Sequence, residues 1–229
     1  LSGQIRCQRL HMRKHHTLLL VACTQAASTN LFAQCPPVPV VDPDPNPYVV
    51  MYVSQWNAFP DDGCSDQDAL QAAALWFSER HGNGMLIFEK GTYMVGEQTP
   101  TGGYFLEGQD AMHFTSCHDF SIVGVEGGEK DGPLTILKYD DCLRYGAFDP
   151  GTQQRYLPNA TPVSLDKVAS IGSAIELENC HGVLISQIAI DGNSDRYILG
   201  GRVGDSGIQA EGDGMHVHGC YSIFLKNIW

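Results

Sequence analysis

The sequence lacks several features that would assign it to a common class. No apolar run approaches the ~20 residues of a membrane-spanning helix, so we expect no membrane span. Basic residues are few, since 14 lysines and arginines stand against 26 aspartates and glutamates, and the formal net charge is −12. Such an acidic chain has no electrostatic footprint for nucleic acid. No EF-hand or zinc-ligand spacing occurs, so we predict no dedicated metal site and no cofactor.

Helical periodicity is also scarce, and strand periodicity takes its place. No helical pattern of ~12 residues separates the predicted strands, which argues against a sheet of βαβ units. Residues 174–193, AIELENCHGVLISQIAIDGN, alternate apolar and polar residues on both sides of a short Asn-Cys-His-Gly corner. Alternation is the period of a half-buried strand. Short strands joined by tight corners need copies above and below to bury their inner face.

Related segments supply these copies. Two apolar residues and a cysteine recur with identical offsets in Met112-Phe114-Cys117, Leu137-Tyr139-Cys142, Ile175-Leu177-Cys180 and Met215-Val217-Cys220. The first two segments predict a rung of about 25 residues, with insertions at 146–173 and 192–213 in later rungs. We therefore predict an all-β solenoid, a right-handed parallel β-helix. The four cysteines should stack inside as free thiols, because a regular ladder does not provide disulfide geometry.

The sequence divides into three predicted parts. Residues 1–33 combine upstream residues with a secretory signal that begins at Met12 and has basic, apolar and small-residue regions in order. Residues 34–47 form a proline-rich linker, and residues 48–229 form the β-helix domain. We expect this domain to be an N-terminal fragment, truncated at the C-terminus, because no capping element follows its last strand. Export places the protein outside the cytoplasm, secreted, periplasmic or on a bacterial cell surface, where Cys35 and Cys64 could pair.

One amphipathic α-helix is predicted at residues 65–80, ahead of most of the strands. Ser65 and Asp68 have the spacing of a capping box, and Leu70, Ala73 and Phe77 lie on one apolar face. We expect this helix to cap the open N-terminal end of the solenoid, where bare strand edges would otherwise invite aggregation.

The segments around this helix resemble a known superfamily. Residues 62–73, DGCSDQDALQAA, followed by GMLIF at 84–88 and GTYMV at 91–95, are similar to the opening segment of the pectate-lyase-like superfamily. Its members typically open with D-G-x-[ST]-D-x-x-A-[IL]-Q, a helix, a G-G-x-[VI] strand and P-x-G-x-Y-x-[VI]. Here Glu89 occupies the position of the usual proline. The resemblance implies the pectin lyase fold, a right-handed parallel β-helix. It selects no activity, because lyases, hydrolases, epimerases and phage tailspikes share the segment.

The rung alignment also predicts which side chains face outward. It gives two columns: His113, Lys138, Glu176 and His216, and beside them Thr115, Asp140, Glu178 and His218. Neighbours in a column should lie ~4.8 Å apart. The columns could form an acid–base or cation-binding wall, or a solvated strand face with favourable cross-strand charge pairs.

The 192–213 insertion ends at the candidate catalytic carboxylate, Asp213. Residues 211–216, EGDGMH, resemble the N-T-D-G-[IF]-[DH] segment of polygalacturonase-type hydrolases, in which that aspartate is catalytic, although Glu211 and Gly212 replace Asn-Thr. Asp-Gly also ends many loops for conformational reasons alone. We predict Asp213, His216 and Asp191 as catalytic residues, and Glu176, Glu178, His218, Arg202 and Asp205 as substrate-binding residues.

These predictions converge on a secreted, monomeric, polysaccharide-active enzyme that acts on an acidic, pectin-like glycan. A glycoside hydrolase would use two carboxylates, one to protonate the leaving oxygen and one to activate water. A lyase would instead need a base and a cation such as Ca²⁺. The alternative is a non-catalytic glycan-binding or adhesive β-helix, whose insertions form the binding face.

Overall fold

The computed structural model of the protein describes residues 48–128, 132–155, 165–201 and 213–229. In these ranges the chain is mostly β-structure, with one α-helix and three short 3₁₀ turns. No helix in the same ranges is long and apolar enough to cross a membrane. The predicted signal and linker lie outside the described residues, together with Cys35, Arg202 and Asp205.

The elements are numbered in chain order. The helix α1 is Gln67–Glu79, and the 3₁₀ turns are Val53–Trp56, Leu165–Lys167 and Ser194–Arg196. The strands are β1 (Val49–Tyr52), β2 (Gly82–Ile87), β3 (Gly91–Val95), β4 (Gln98–Thr99), β5 (Glu107–Gly108), β6 (His113–Thr115), β7 (His118–Val123), β8 (Thr135–Tyr139), β9 (Arg144–Ala147), β10 (Val168–Ala169), β11 (Ile175–Glu178), β12 (His181–Asp191), β13 (Ile198–Leu199), β14 (Met215–His218) and β15 (Tyr221–Ile228).

Seven strands form a large sheet in which every pairing is parallel. Its central strand, β12, pairs along its first half with β7 and along its second half with β8, and β15 runs beside it. Gln187 separates the two halves with a φ of 61°, so the chain turns a corner there. The sheet therefore contains two adjoining columns of strands.

A second parallel sheet has the order β14-β11-β6. The chain passes from each of its strands into the large sheet through a corner residue in the left-handed region, with φ values of 55° at Ser116, 54° at Asn179 and 64° at Gly219. It thus follows the same course three times: β6 to β7 and β8, then β11 to β12, then β14 to β15. Apolar side chains from both sheets, such as Phe114 and Phe120, are buried between them.

A cysteine follows each of these corners, and three of the four predicted ladder cysteines are free. The Cys117 N–H donates to Cys180 Sγ at 3.4 Å, and the Cys180 N–H donates to Cys220 Sγ at 3.1 Å. The thiols therefore satisfy backbone donors that the corners turn away from strand pairing. Cys142 contradicts the prediction, because it is disulfide-bonded, as is Cys64. Cys142 lies after β8 and is only half-buried.

The prediction that Leu137, Tyr139 and Cys142 begin a rung of their own was also wrong. In β8, Leu137 lies opposite Tyr93 of β3 and Ile190 of β12, so β8 continues the coil that begins at β6. Lys138 consequently lies opposite Asp191, and neither Lys138 nor Asp140 belongs to the columns of β6, β11 and β14. Alternation of apolar residues identifies the inner face of a strand but not the column in which it lies.

The helix α1 lies against the edge of β6, as the capping prediction requires. Leu70, Ala73 and Phe77 are fully buried, and the Phe77 ring packs 4.7 Å from that of Phe120 on β7. Ser78 Oγ accepts the Thr115 N–H at 3.0 Å, so the helix also satisfies a donor on the edge strand. The predicted capping box does not form, because Asp66 is the N-cap and makes no capping hydrogen bond.

Asp66 and the following residue instead attach the helix to the coils. Asp66 Oδ1 accepts the Phe59 N–H at 3.0 Å and its Oδ2 accepts the Met94 N–H at 2.9 Å. The buried Gln67 accepts from Gly96 N–H and donates to the carbonyls of Gln109 and Asp110. The motif that resembles the superfamily therefore has a structural role here, in binding backbone groups.

Candidate functional site

The outer face of β6, β11 and β14 carries the ionisable side chains that we call the acid–histidine face: His113, Glu176, Glu178, His216 and His218. Glu176 lies between His113 and His216 in the strand register, and Glu178 lies between Thr115 and His218. Strand alternation turns this set outward, because the intervening Leu177 and Phe114 are buried. With Lys138 and Asp140 removed, the predicted columns stand as the sequence alignment gave them.

Two carboxylate–imidazole pairs form on this face. His216 Nδ1 lies 3.5 Å from Glu176 Oε1, and His113 Nε2 lies 3.2 Å from Glu178 Oε2. The second pair runs diagonally across the sheet, since His113 stands opposite Glu176 in the register. Each imidazole can therefore exchange a proton with a carboxylate on the neighbouring strand.

Glu176 is the most enclosed carboxyl of the face, with 19 % of its side chain exposed. Burial raises its pKa, and a hydrogen bond to Asp110 and the charge of Asp110 raise it further, against the lowering effect of His113 and His216. Glu176 therefore keeps a proton at pH values where an exposed glutamate has lost it. Protonated Glu176 donates this proton to the hydrogen bond with Asp110.

Asp110 was missed in the sequence analysis, although a signal for it is present. The strands β6 and β14 are both preceded by an aspartate in a short Asp-x-Met-His motif, DAMH at 110–113 and DGMH at 213–216. In the coil between them Ser173 occupies the same position, and its N–H donates to Asp110 Oδ1 at 2.7 Å. The motif therefore aligns an aspartate with Ser173, three residues before Glu176, on the coils before and after it.

Tyr139 lies within electrostatic reach of both motif aspartates. Burial raises the pKa of its hydroxyl, and the charges of Tyr197, Asp110 and Asp213 raise it further. The hydroxyl remains protonated and donates to the Gly172 carbonyl at 2.7 Å. Asp213, itself exposed, is thus within electrostatic reach of a group that Asp110 also affects.

Asp191 lies at a different corner, at the end of β12. Its carboxylate is 3.7 Å from Lys138 Nζ and accepts the Asn193 N–H at 2.9 Å. It also adds to the effect of burial in raising the pKa of Tyr197 to about 12. The structure therefore gives Asp191 a lysine partner on β8, whereas Glu176 and His216 contact each other. Asp191 thus lies in the column of β8 and not on the acid–histidine face.

The remaining predicted residues divide between the face and the undescribed segment. The half-buried Glu178 and the exposed His218 are neighbours in the register of β11 and β14. Arg202 and Asp205 lie outside the described residues. Within the described ranges no group of three or more His, Cys, Asp and Glu side chains is arranged to hold a metal ion.

Comparisons with known proteins give distant structural likenesses. No protein-family model matches the sequence, and no curated protein matches it significantly. The A-module of a mannuronan C-5 epimerase from Azotobacter vinelandii is 14% identical over 77% of this chain, with a TM-score of 0.40, and this chain covers 40% of that module. A putative glycosyl hydrolase from Parabacteroides merdae is 13% identical over 79% of this chain and 97% of its own length, with a TM-score of 0.25. Both TM-scores are too low for either likeness to identify a function.

Proposed function

We propose that the protein is a secreted enzyme of the parallel β-helix class that cleaves an acidic polysaccharide on its acid–histidine face. The supporting observation is Glu176, whose pKa is raised by burial and by Asp110 and whose carboxyl lies 3.5 Å from His216, with Asp213 just before the next strand, β14. Glycoside hydrolysis needs one carboxyl that holds a proton and another that has lost it. Export is supported by the disulfide bonds of Cys64 and Cys142, since such bonds persist in oxidising compartments.

In the proposed hydrolysis, Glu176 is the general acid and Asp213 the general base. Asp213 takes a proton from water as the water oxygen bonds to the anomeric carbon. The glycosidic C–O bond breaks, and its oxygen takes the proton of Glu176. His216 lies beside Glu176 and can return a proton to it after each turnover. The proposal assigns no step to Asp191.

Elimination is the other route by which an acidic glycan can be cleaved. It would remove a proton next to the uronate carboxyl and leave an unsaturated sugar. The Ca²⁺ ion that assists such chemistry requires several oxygen ligands, and the described residues offer no such cluster. The proposal therefore gives no step to a metal.

The test uses the full chain and size-fractionated polygalacturonate, with a neutral glucan as the comparison substrate. We expect new reducing ends without unsaturated products. Asp213→Asn should lower kcat/KM by about 10²–10⁴-fold, because it removes the base but keeps the shape of the side chain. The matched control is Asp195→Asn, which changes an exposed aspartate beside Arg196 and should leave kcat/KM unchanged.

The outcomes separate the candidate functions. Unsaturated products would replace the hydrolase with a lyase, and undiminished cleavage by Asp213→Asn would remove Asp213 from the mechanism. Binding without cleavage of any polyuronate would favour the glycan-binding alternative. One observation supports that alternative. His113 and His216 each pair with a glutamate on the neighbouring strand, and such pairs stabilise a solvated strand face without any catalytic role.

A further inference from the structure

The histidines of the described ranges lie at two adjoining places in the fold. Three of them, His113, His216 and His218, belong to the acid–histidine face. The other three, His81, His118 and His181, lie at the corner that follows this face, in successive coils. All six are at least partly exposed.

The corner histidines form a stack along the direction in which the coils repeat. The His118 N–H donates to the His81 carbonyl at 3.0 Å. The His118 and His181 rings stack with centroids 5.3 Å apart, and the Tyr221 ring continues the stack 4.8 Å from His181. Stacked rings cover one another's faces, so each imidazole presents its edge, which carries the ring nitrogens, to solvent. The stack is therefore a row of hydrogen-bond donors once it is protonated.

Fixed negative charges surround these imidazoles. On the strand face these are Asp110, Glu178 and Asp213, together with Glu176 once it loses its proton. At the corner, Asp119 Oδ2 lies 3.5 Å from His118 Nδ1. Glu79, the last residue of α1, and Arg80 precede His81 and carry opposite charges. Near neutral pH this surface is negative and repels a polyanion.

Mild acid makes this surface more positive. Imidazole is the side-chain group that gains a positive charge between pH ~8 and ~5. Positive charge on these imidazoles offsets the carboxylates around them. Neighbouring coils lie ~4.8 Å apart, so the positive charges form two close rows. A uronate chain, which is still ionised at pH ~5, would find a partner in each coil.

We propose that the acid–histidine face and the corner histidines together form a pH-gated binding surface for polyuronate, which holds the anionic chain in mild acid and releases it near neutral pH. The choice of a uronate polymer rests on the proposed function. The gating itself requires only an anionic chain long enough to contact several coils. Because binding needs charged imidazoles, it takes up protons, and its affinity falls as the pH rises.

The test measures binding and cleavage separately on the same samples. Isothermal titration calorimetry of the full chain with polygalacturonate fragments is run at pH ~5 and pH ~8, and the products are then analysed. We expect affinity to be at least roughly tenfold weaker at the higher pH. Titrations at pH ~6 in buffers of different ionisation enthalpy should show net proton uptake. A neutral glucan of similar length should not bind at either pH.

A double variant locates the effect. His118→Gln with His181→Gln removes two charges from the corner and leaves Asp110, Glu176 and Asp213 in place. We expect it to weaken binding several-fold at pH ~5 and to have no effect at pH ~8. The matched control is Lys90→Gln with Lys226→Gln, which removes two exposed permanent charges elsewhere and should keep the wild-type ratio of affinities. Thermal unfolding verifies that both variants fold.

Equal affinities at the two pH values would overturn the inference, as would a corner variant that binds like the wild type at pH ~5. Failure here is distinguishable from failure of the proposed function. Cleavage with pH-independent binding keeps the enzyme and removes the gate. Binding that follows pH without cleavage keeps the gate and removes the enzyme.

Discussion

The edge of strand β6 that α1 covers and the outer face of the same strand treat polar side chains in opposite ways. At the start of α1, Asp66 and Gln67 are buried and bind backbone groups of other segments. The side-chain amide of Gln67 donates to the carbonyls of Gln109 and Asp110 at 2.9 and 3.1 Å. On the outer face, His113 and Glu178 are each about 40% exposed and bind each other. Backbone partners are fixed by the fold, whereas side-chain partners can change without altering it.

This difference separates stability from chemistry. A buried polar group that loses its partner costs about 1–3 kcal/mol, so the helix-covered edge tolerates few substitutions. An exposed ion pair is worth at most about 1 kcal/mol, so the acid–histidine face can vary its residues at little cost in folding. Substitutions in the two regions should therefore differ in effect.

The largest effect is expected from Phe77→Ala on α1. Phe77 is fully buried and contacts the rings of Trp56, Trp76 and Phe120. Its removal leaves a cavity at the helix–coil contact and should lower the free energy of unfolding by ~3–5 kcal/mol in denaturant titrations. Leu75→Ala, on the exposed side of the same helix with 60% of its surface accessible, is the control and should change stability by less than about 0.5 kcal/mol. Equal losses in the two variants would show that α1 does not close the coil.

A pH-dependent effect is expected from Asp66, in the same region. Burial raises its pKa from 3.8 to about 7, against the lowering effect of its backbone hydrogen bond to Met94. Between these values the folded chain holds a proton that the unfolded chain has lost, so the stability contributed by Asp66 is complete below pH 3.8 and is lost as the pH rises to about 7. Denaturant titrations across this range should show the decline.

Asp66→Asn tests the assignment. The variant should be less stable at low pH, because its amide cannot accept both the Phe59 and Met94 N–H groups. Its stability should also decline less between pH ~4 and ~7, since the titrating group is gone. Glu176, whose raised pKa acts in the same direction, remains in both proteins and cancels in the comparison. A decline as steep as that of the wild type would exclude Asp66 as its source.

The same two regions differ in how far the sequence predicts them. The pattern of Leu70, Ala73 and Phe77 gives the buried face of α1. The bounds of β3 coincide with the GTYMV motif at residues 91–95. The role of Asp66 was not predictable, because its partners, Phe59 and Met94, are distant in the sequence or lie in a turn without periodicity. Local patterns report the face that a segment buries, and long-range partners require the fold.

On the acid–histidine face, the register of β6, β11 and β14 followed from aligned offsets, because equal offsets between an apolar pair and a cysteine are preserved in all three coils. The misplaced rung at Leu137 and the missed Asp110 both come from aligning only the apolar pair and the cysteine. The segment at Leu137 has the same offsets but forms the third strand of its coil, and Asp110 lies just before the aligned residues. An alignment that begins two residues earlier would find the repeated Asp-x-Met-His motif at Asp110 and Asp213.

The smallest effect is expected from the pair of His113 and Glu178. A double-mutant cycle with His113→Gln and Glu178→Gln should give a coupling free energy below about 1 kcal/mol, because both groups are well exposed and solvent screens their attraction. The coupling requires a charged imidazole, so it should be measurable at pH ~5.5 and vanish near pH ~8. It should also fall as salt is added, since exposed charges are screened. A coupling above about 2 kcal/mol, or one that persists at pH ~8, would show that this face carries stability as the helix-covered edge does. The contrast between the two sides of β6 would then fail, and substitutions at the proposed site could no longer be interpreted as changes in chemistry alone.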